Sequence, residues 1–104
     1  MSKWNYNLSF YGEYLRELIK GDSSKENCEN ILKHIIVCCE YLQKKLTDED
    51  KECYEYDLEE IVDDCEDAKW CLEEDDEEYN EERVNDVLND FYDLMDTIRV
   101  WVAL

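Results

Sequence analysis

Acidic side chains dominate the chemistry open to this chain. Glu59, Glu60, Asp63, Asp67 and Glu74 recur at helical intervals, followed by the run Asp75, Asp76, Glu77 and Glu78 and then by Asp86, Asp90 and Asp93. Carboxylates in such number can act as general bases, as metal ligands or as a fixed anionic surface, and spacing decides among these. General acid–base chemistry needs a base placed against a nucleophile or against a second group of shifted pKa. The chain has no nucleophile elbow, phosphate-binding glycine loop, dinucleotide fingerprint or Glu-x-x-His di-iron pattern. It reads as a non-enzyme, with no catalytic residues.

Metal chemistry is equally thin. His34 and Cys38 lie four residues apart and can reach one ion from a helix, but two ligands do not make a site. The Cys-x-x-Cys spacing of zinc folds is absent from Cys28, Cys38, Cys39, Cys53, Cys65 and Cys71. Asp48, Asp50, Glu52 and Glu59 fit some positions of a calcium loop, yet Cys53 stands where that loop requires glycine. No metal and no cofactor are expected. The remaining use of the acids is as a surface.

The whole composition agrees. Thirty acids against eleven bases in 104 residues give a formal charge of −19. A chain so poor in cations cannot replace the counterions of nucleic acid, nor settle on an anionic membrane. Hydrophobic residues make up 44% of the sequence, so there is apolar surface to bury and acidic disorder is disfavoured. Two glycines and no proline argue against turn-rich β architectures. No apolar stretch approaches the roughly 20 residues of a membrane span, and the N-terminal residues lack a signal-peptide core. A cytoplasmic protein with reduced thiols is expected; a secreted domain with three disulfides is the rival reading.

The elements that position the acids are helices, because apolar residues follow a helical period nearly throughout. A first helix is predicted over Ser9 to Lys20, with Leu8, Tyr11, Leu15 and Leu18 on one stripe and Gly21 ending it in a left-handed C′ conformation. A second starts after Ser23, where Ser23 to Glu26 reads as a capping box; its seam is Cys28, Leu32, Ile35, Cys39, Leu42 and Leu46. Thr47 caps a third, with seam Tyr54, Leu58, Ile61, Cys65, Ala68 and Leu72. Glu73 to Glu78 is a connection. Asn80 caps a fourth, with seam Val84, Leu88, Phe91, Met95, Ile98 and Val102, widened by Val87, Leu94 and Trp101. The expected fold is all-α: one domain over residues 1–104, an antiparallel bundle of four helices. The alternative is a pair of helical hairpins completing its core by dimerising, so the oligomeric state stays open between monomer and homodimer.

Charge is divided unevenly among these helices. Residues 1–47 sum to +1, whereas residues 48–96 hold 24 acids and only Lys51, Lys69 and Arg83. Like charges about 6 Å apart repel by about 0.7 kcal/mol per pair in water before screening. The arrangement opposes stability and therefore asks for another reason; a merely solvated face is the bland one. Taken as Asp48 to Leu72, the third helix spans about 37 Å and bears twelve acids, roughly one per 3 Å of axis. A DNA strand carries one phosphate per about 3.4 Å. Asp86, Asp90, Asp93 and Asp96 form a second row. Removing the seam leaves Tyr56, Asp63 and Trp70 outermost on the third helix, flanked by Glu59, Glu60, Glu66, Asp67 and Glu74. Aromatics at such places anchor interfaces, or stack on arginine; packing of Trp70 on a neighbouring helix, or under Trp4, Tyr6 and Phe10, is the competing expectation.

In its size, its acidity and its helical row of carboxylates over residues 48–96, the chain resembles the small DNA-mimic inhibitors of phages and mobile elements, the anti-CRISPR proteins among them. The resemblance implies a non-enzymatic inhibitor without cofactor. Its acids would occupy the groove of a basic nucleic-acid-binding protein, the favoured case being an anti-CRISPR protein that blocks an RNA-guided nuclease. It transfers no individual residue roles. An immunity or antitoxin protein neutralising a basic nuclease toxin shares these electrostatics, and a helical adaptor is the third class.

Overall fold

A computed structural model describes the backbone over residues 5–7, 9–98 and 101–103 and the side chains of residues 14–97. Four helices carry the fold: α1 (Ser9–Gly21), α2 (Lys25–Lys45), α3 (Asp48–Cys71) and α4 (Glu77–Ile98). Links of a few residues between them force neighbours to run antiparallel. Two three-residue strands, β1 (Asn5–Asn7) and β2 (Trp101–Ala103), pair antiparallel with Tyr6 opposite Val102. This ribbon adds to the expected all-α architecture without changing its core.

Packing is not that of a square bundle. α2 packs most extensively on α3 and α1 on α4, while α2 and α4 also meet across the diagonal. α1 and α3 are thereby pushed to opposite flanks, and the molecule is flattened to 44 × 29 × 18 Å. A single cluster of buried apolar side chains joins all four helices, so the core closes within one chain. Every seam position expected on α3 is buried or packed against that cluster: Tyr54, Leu58, Ile61, Cys65, Ala68 and Leu72. α2 buries Ile31 and Ile36 beside its expected seam. On α4, Val84, Val87, Leu88, Phe91, Leu94 and Met95 are buried. On α1 the inward pair is Leu15 and Ile19, and Leu18 is 37% exposed, which corrects the expected stripe by one residue. The fourth helix does not reach Trp101 and Val102, as its expected seam required: α4 ends at Ile98 and both residues lie in β2. The side chains of Leu8, Tyr11 and Ile98 lie outside the described residues.

Two helix ends differ from expectation for local reasons. Ser24, not Ser23, is the N-cap of α2: its backbone is extended and its Oγ accepts from the Asn27 N–H at 3.3 Å. Asp22 makes this possible by accepting from the Ser24 N–H at 3.0 Å. Hydrogen bonds from the Ser24 backbone and hydroxyl lower the Asp22 pKa, so its contribution to stability is present above its unfolded value and lost as pH falls. Asn27 Nδ2 donates back to the Leu18 carbonyl at 3.3 Å, tying the link down. Gly21 is the last residue of α1 and takes no left-handed conformation; a Cβ built there meets nothing within 4 Å. Gly21→Ala is therefore expected to raise stability by about 0.5–1 kcal/mol, by reducing the freedom of the unfolded chain. Urea unfolding checks this, and a lowered midpoint would show that the glycine is needed for its conformation. The Thr47 cap of α3 is found as expected, with Oγ1 accepting from the Asp50 N–H at 3.2 Å. Asp48 and Asp50 thus belong to a helical first turn, which removes the calcium-loop reading.

The α3–α4 connection holds the largest departure. Asn80 does not cap α4. It lies one turn inside the helix, wholly buried, and is the one polar side chain so placed among the described residues. Its Oδ1 accepts from the Glu73 N–H at 3.1 Å and its Nδ2 donates to the Glu73 carbonyl. A single amide closes the connection like a strand pair. Capping falls to Asp76, whose Oδ1 accepts from the Tyr79 N–H at 3.1 Å.

Candidate acidic interface

The acids of α3 border three overlapping surfaces. Its solvent face carries Tyr56, Asp63 and Trp70, all exposed, with Glu59, Glu60, Glu66 and Asp67 exposed beside them. Trp70 is 90% exposed and Tyr56 74%, so neighbouring-helix packing does not cover Trp70. The competing cover by Trp4, Tyr6 and Phe10 falls on side chains outside the described residues.

On one side of α3 a groove of ≈ 830 Å³ opens toward α2. Glu59 and Asp63 line it together with Glu40, Lys44, Asp48, Lys51 and Glu55, so its charge is mixed. On the other side α3 meets α4 across two contiguous hollows of ≈ 320 and ≈ 230 Å³ that share Asp64 and Asp90. The first adds Asp57, Glu60 and Asp93, and the second Asp67 and Asp86. Seven carboxylates thus line one trough, over an apolar floor of Ile61, Ala68, Val87 and Leu94. Arg83 is the one cation in its lining. The mixed groove is the larger, but the trough is where anionic character concentrates. Asp96 lines neither hollow, so the expected second row ends at Asp93.

These acids have little cationic company. Lys20 pairs with Glu17 at 3.4 Å and Lys25 with Glu74 at 3.9 Å, and neither pair lies in the trough. Glu74 is thereby turned toward the start of α2, away from the trough. Asp75, Asp76, Glu77 and Glu78 are exposed at the far end of the bundle, where Asp76 is occupied as the α4 cap. Arg83 stacks on Tyr79 with 4.5 Å from guanidinium carbon to ring centroid, and its buried Nε has no hydrogen-bond partner. Arg16 similarly lies 4.8 Å from the Tyr92 ring and donates to Asn89 Oδ1, joining α1 to α4.

Burial and crowding in the trough shift one carboxyl. Burial, and then the charges of Asp90, Asp67 and Asp63, raise the Asp64 pKa above the usual 3.8. The native state therefore holds more proton than the unfolded chain between 3.8 and the raised value. Stability falls as pH rises through that window and returns as pH drops. Asp64→Asn is expected to raise the melting temperature at pH 7 and to flatten its dependence on pH above 4. A melting temperature unchanged or lowered at pH 7 would mean that the Asp64 charge is compensated.

Four of the cysteines are held in their unreactive form by burial, while Cys53 and Cys71 are exposed. All six are free thiols. Burial raises Cys28 and Cys38 to about 11 and Cys65 to about 12, and raises Cys39 further, which suppresses the reactive thiolate at neutral pH. Cys39 and Cys65 lie in the core as their seam positions predict. No three His, Cys, Asp or Glu side chains converge to hold a metal ion among the described residues.

Of the residues expected at the interface, Glu60, Asp67, Asp86, Asp90 and Asp93 line the trough, and Asp57 and Asp64, which the sequence reading does not single out, line it with them. Both flank the α3 seam at a seven-residue interval, a signal that was present. Assigning them to the trough required knowing that α4, not α2, lies on that side. No helix of the described residues is long and apolar enough to cross a membrane. No protein-family model, curated protein or solved structure matches the chain.

Proposed function

We propose that this protein is a non-enzymatic, cytoplasmic inhibitor that binds a basic nucleic-acid-binding protein through the α3–α4 acidic face. The carboxylates occupy positions that the partner reserves for phosphates. The observation that carries this reading is the trough itself: seven acids lie along two packed helices, with Arg83 the one lining cation. An anionic surface left so poorly paired opposes the free fold and is relieved by cations from outside. The partner class that fits best is an RNA-guided nuclease, whose channel is positively charged and which reads a short DNA motif through arginines. The inhibitor is then an anti-CRISPR protein, acting by competitive exclusion, with α1 and α2 as the nearly neutral support.

Competition tests it directly. A labelled target duplex bound to a guide-loaded Cas9-type nuclease is expected to be excluded when this protein is added first. Free duplex alone should show no binding to the protein. Simultaneous occupancy of the nuclease by both, without loss of affinity for either, would refute exclusion and favour an allosteric inhibitor or an adaptor.

A further inference from the structure

The solvent face of α3 carries two features that charge mimicry does not need. Phosphates are imitated by carboxylates alone, yet Trp70 and Tyr56 stand 90% and 74% exposed among them. They are fourteen residues apart on one helix face, about 21 Å along the axis. Each has carboxylates within one turn: Glu66 and Asp67 beside Trp70, Glu59 and Glu60 beside Tyr56. A ring with two acids at its edge offers a flat electron-rich surface and two acceptors at once.

Such a pair of functions suits a guanidinium better than an ammonium. Arginine is planar and weakly hydrated, so it can lie on a ring while its N–H edge still meets a carboxylate. Lysine is a compact, strongly hydrated point charge that must choose. Within the fold, Arg83 and Arg16 stack 4.5 and 4.8 Å from the Tyr79 and Tyr92 rings, closer than Lys45 at 5.7 Å from Tyr41, so guanidinium stacking on tyrosine is a contact this chain already makes. A second copy of this chain is an unsuitable occupant, because each carries a net charge of −19.

We infer that the outer face of α3 selects arginine over lysine in its partner, seating guanidinium groups on Trp70 and Tyr56 between flanking carboxylates. The inference rests on the proposed binding of a basic protein and names the side chain that this binding reads. The rings supply discrimination among basic partners; the acids supply only attraction.

Octa-arginine and octa-lysine peptides carry equal charge and serve as the probes, with octa-serine as the neutral control. Fluorescence anisotropy on the full chain at moderate salt should show octa-arginine binding about fivefold tighter or more, from two exposed ring contacts. Trp70→Ala combined with Tyr56→Ala should bring that ratio close to one and leave octa-lysine within about twofold of its original affinity. Trp70→Phe should retain part of the preference. Both rings are exposed, so unchanged unfolding midpoints will show that the fold is intact. Equal binding of the two basic peptides, or a preference that survives loss of both rings, overturns the inference while leaving electrostatic binding in place. Failure of both basic peptides to exceed octa-serine overturns the proposed function as well.

Discussion

Combining Glu60→Lys, Asp63→Lys, Asp67→Lys and Asp90→Lys is expected to abolish binding to a basic nucleic-acid-binding partner while leaving helix content unchanged. All four side chains are exposed, so none supports the core. A single exposed ion pair contributes only about 0–1 kcal/mol, and any one of these changes alone should be nearly silent. Together they remove four attractions and install four repulsions. A loss on the order of 3 kcal/mol, about a hundredfold in affinity, is the expected minimum. The same variant should melt higher than the parent at low salt, because crowded like charges have been separated. Retained affinity would move the interface off the α3–α4 face. Loss of helix by circular dichroism would instead assign these acids a structural role.

Phe91→Ala is the change expected to damage the fold most. Phe91 is fully exposure-free and the largest of the side chains buried to that degree. Truncating a buried phenylalanine leaves a cavity that neighbouring side chains only partly fill, at about 3–5 kcal/mol. Single domains are commonly stable by only about 5–15 kcal/mol, so the variant should be half-way to unfolding at modest urea. Leu58→Ala, across the core on α3, should cost about 2–5 kcal/mol. Urea titration followed by circular dichroism reads both. A penalty below about 1 kcal/mol at Phe91 would mean that α4 is not packed against the cluster.

The α3 seam was legible because its apolar residues alternate at intervals of three and four with acids almost everywhere else. Where two adjacent residues compete for one role, the pattern is silent. Leu18 and Ile19 are equally apolar, and only the position of α4 turns Ile19 inward. Ser23 and Ser24 can both cap, and the Asp22 carboxylate decides for Ser24. Asn80 was misread for a different reason. Its partners are the backbone groups of Glu73, seven residues away, and no local rule contains the path of the chain between them. The interface shows the same division. That α3 is acidic, with Tyr56 and Trp70 outward, follows from periodicity. That Glu59 and Asp63 border a mixed groove while Asp64 and Asp67 border an acidic trough depends on which helix packs on which side.

The placement of α1 and α3 on opposite flanks has a further consequence. α1 holds two acids and two bases, and α2 three acids and four lysines. α3 holds twelve acids and two lysines, and lies on the outer edge away from α1. The link before α4 and α4 itself add twelve acids and only Arg83, so the anionic pole of the molecule is the α3–α4 side, opposite the nearly neutral α1 and α2. The field of a cationic cleft on the proposed partner would exert a torque on such a body before any atoms touch, turning the α3–α4 side to the front during approach. Productive encounters then require less searching over orientations, which raises association rates about 10- to 1,000-fold at low salt. At about 1 M salt the field fades within ~3 Å, the torque disappears, and arrival becomes random tumbling.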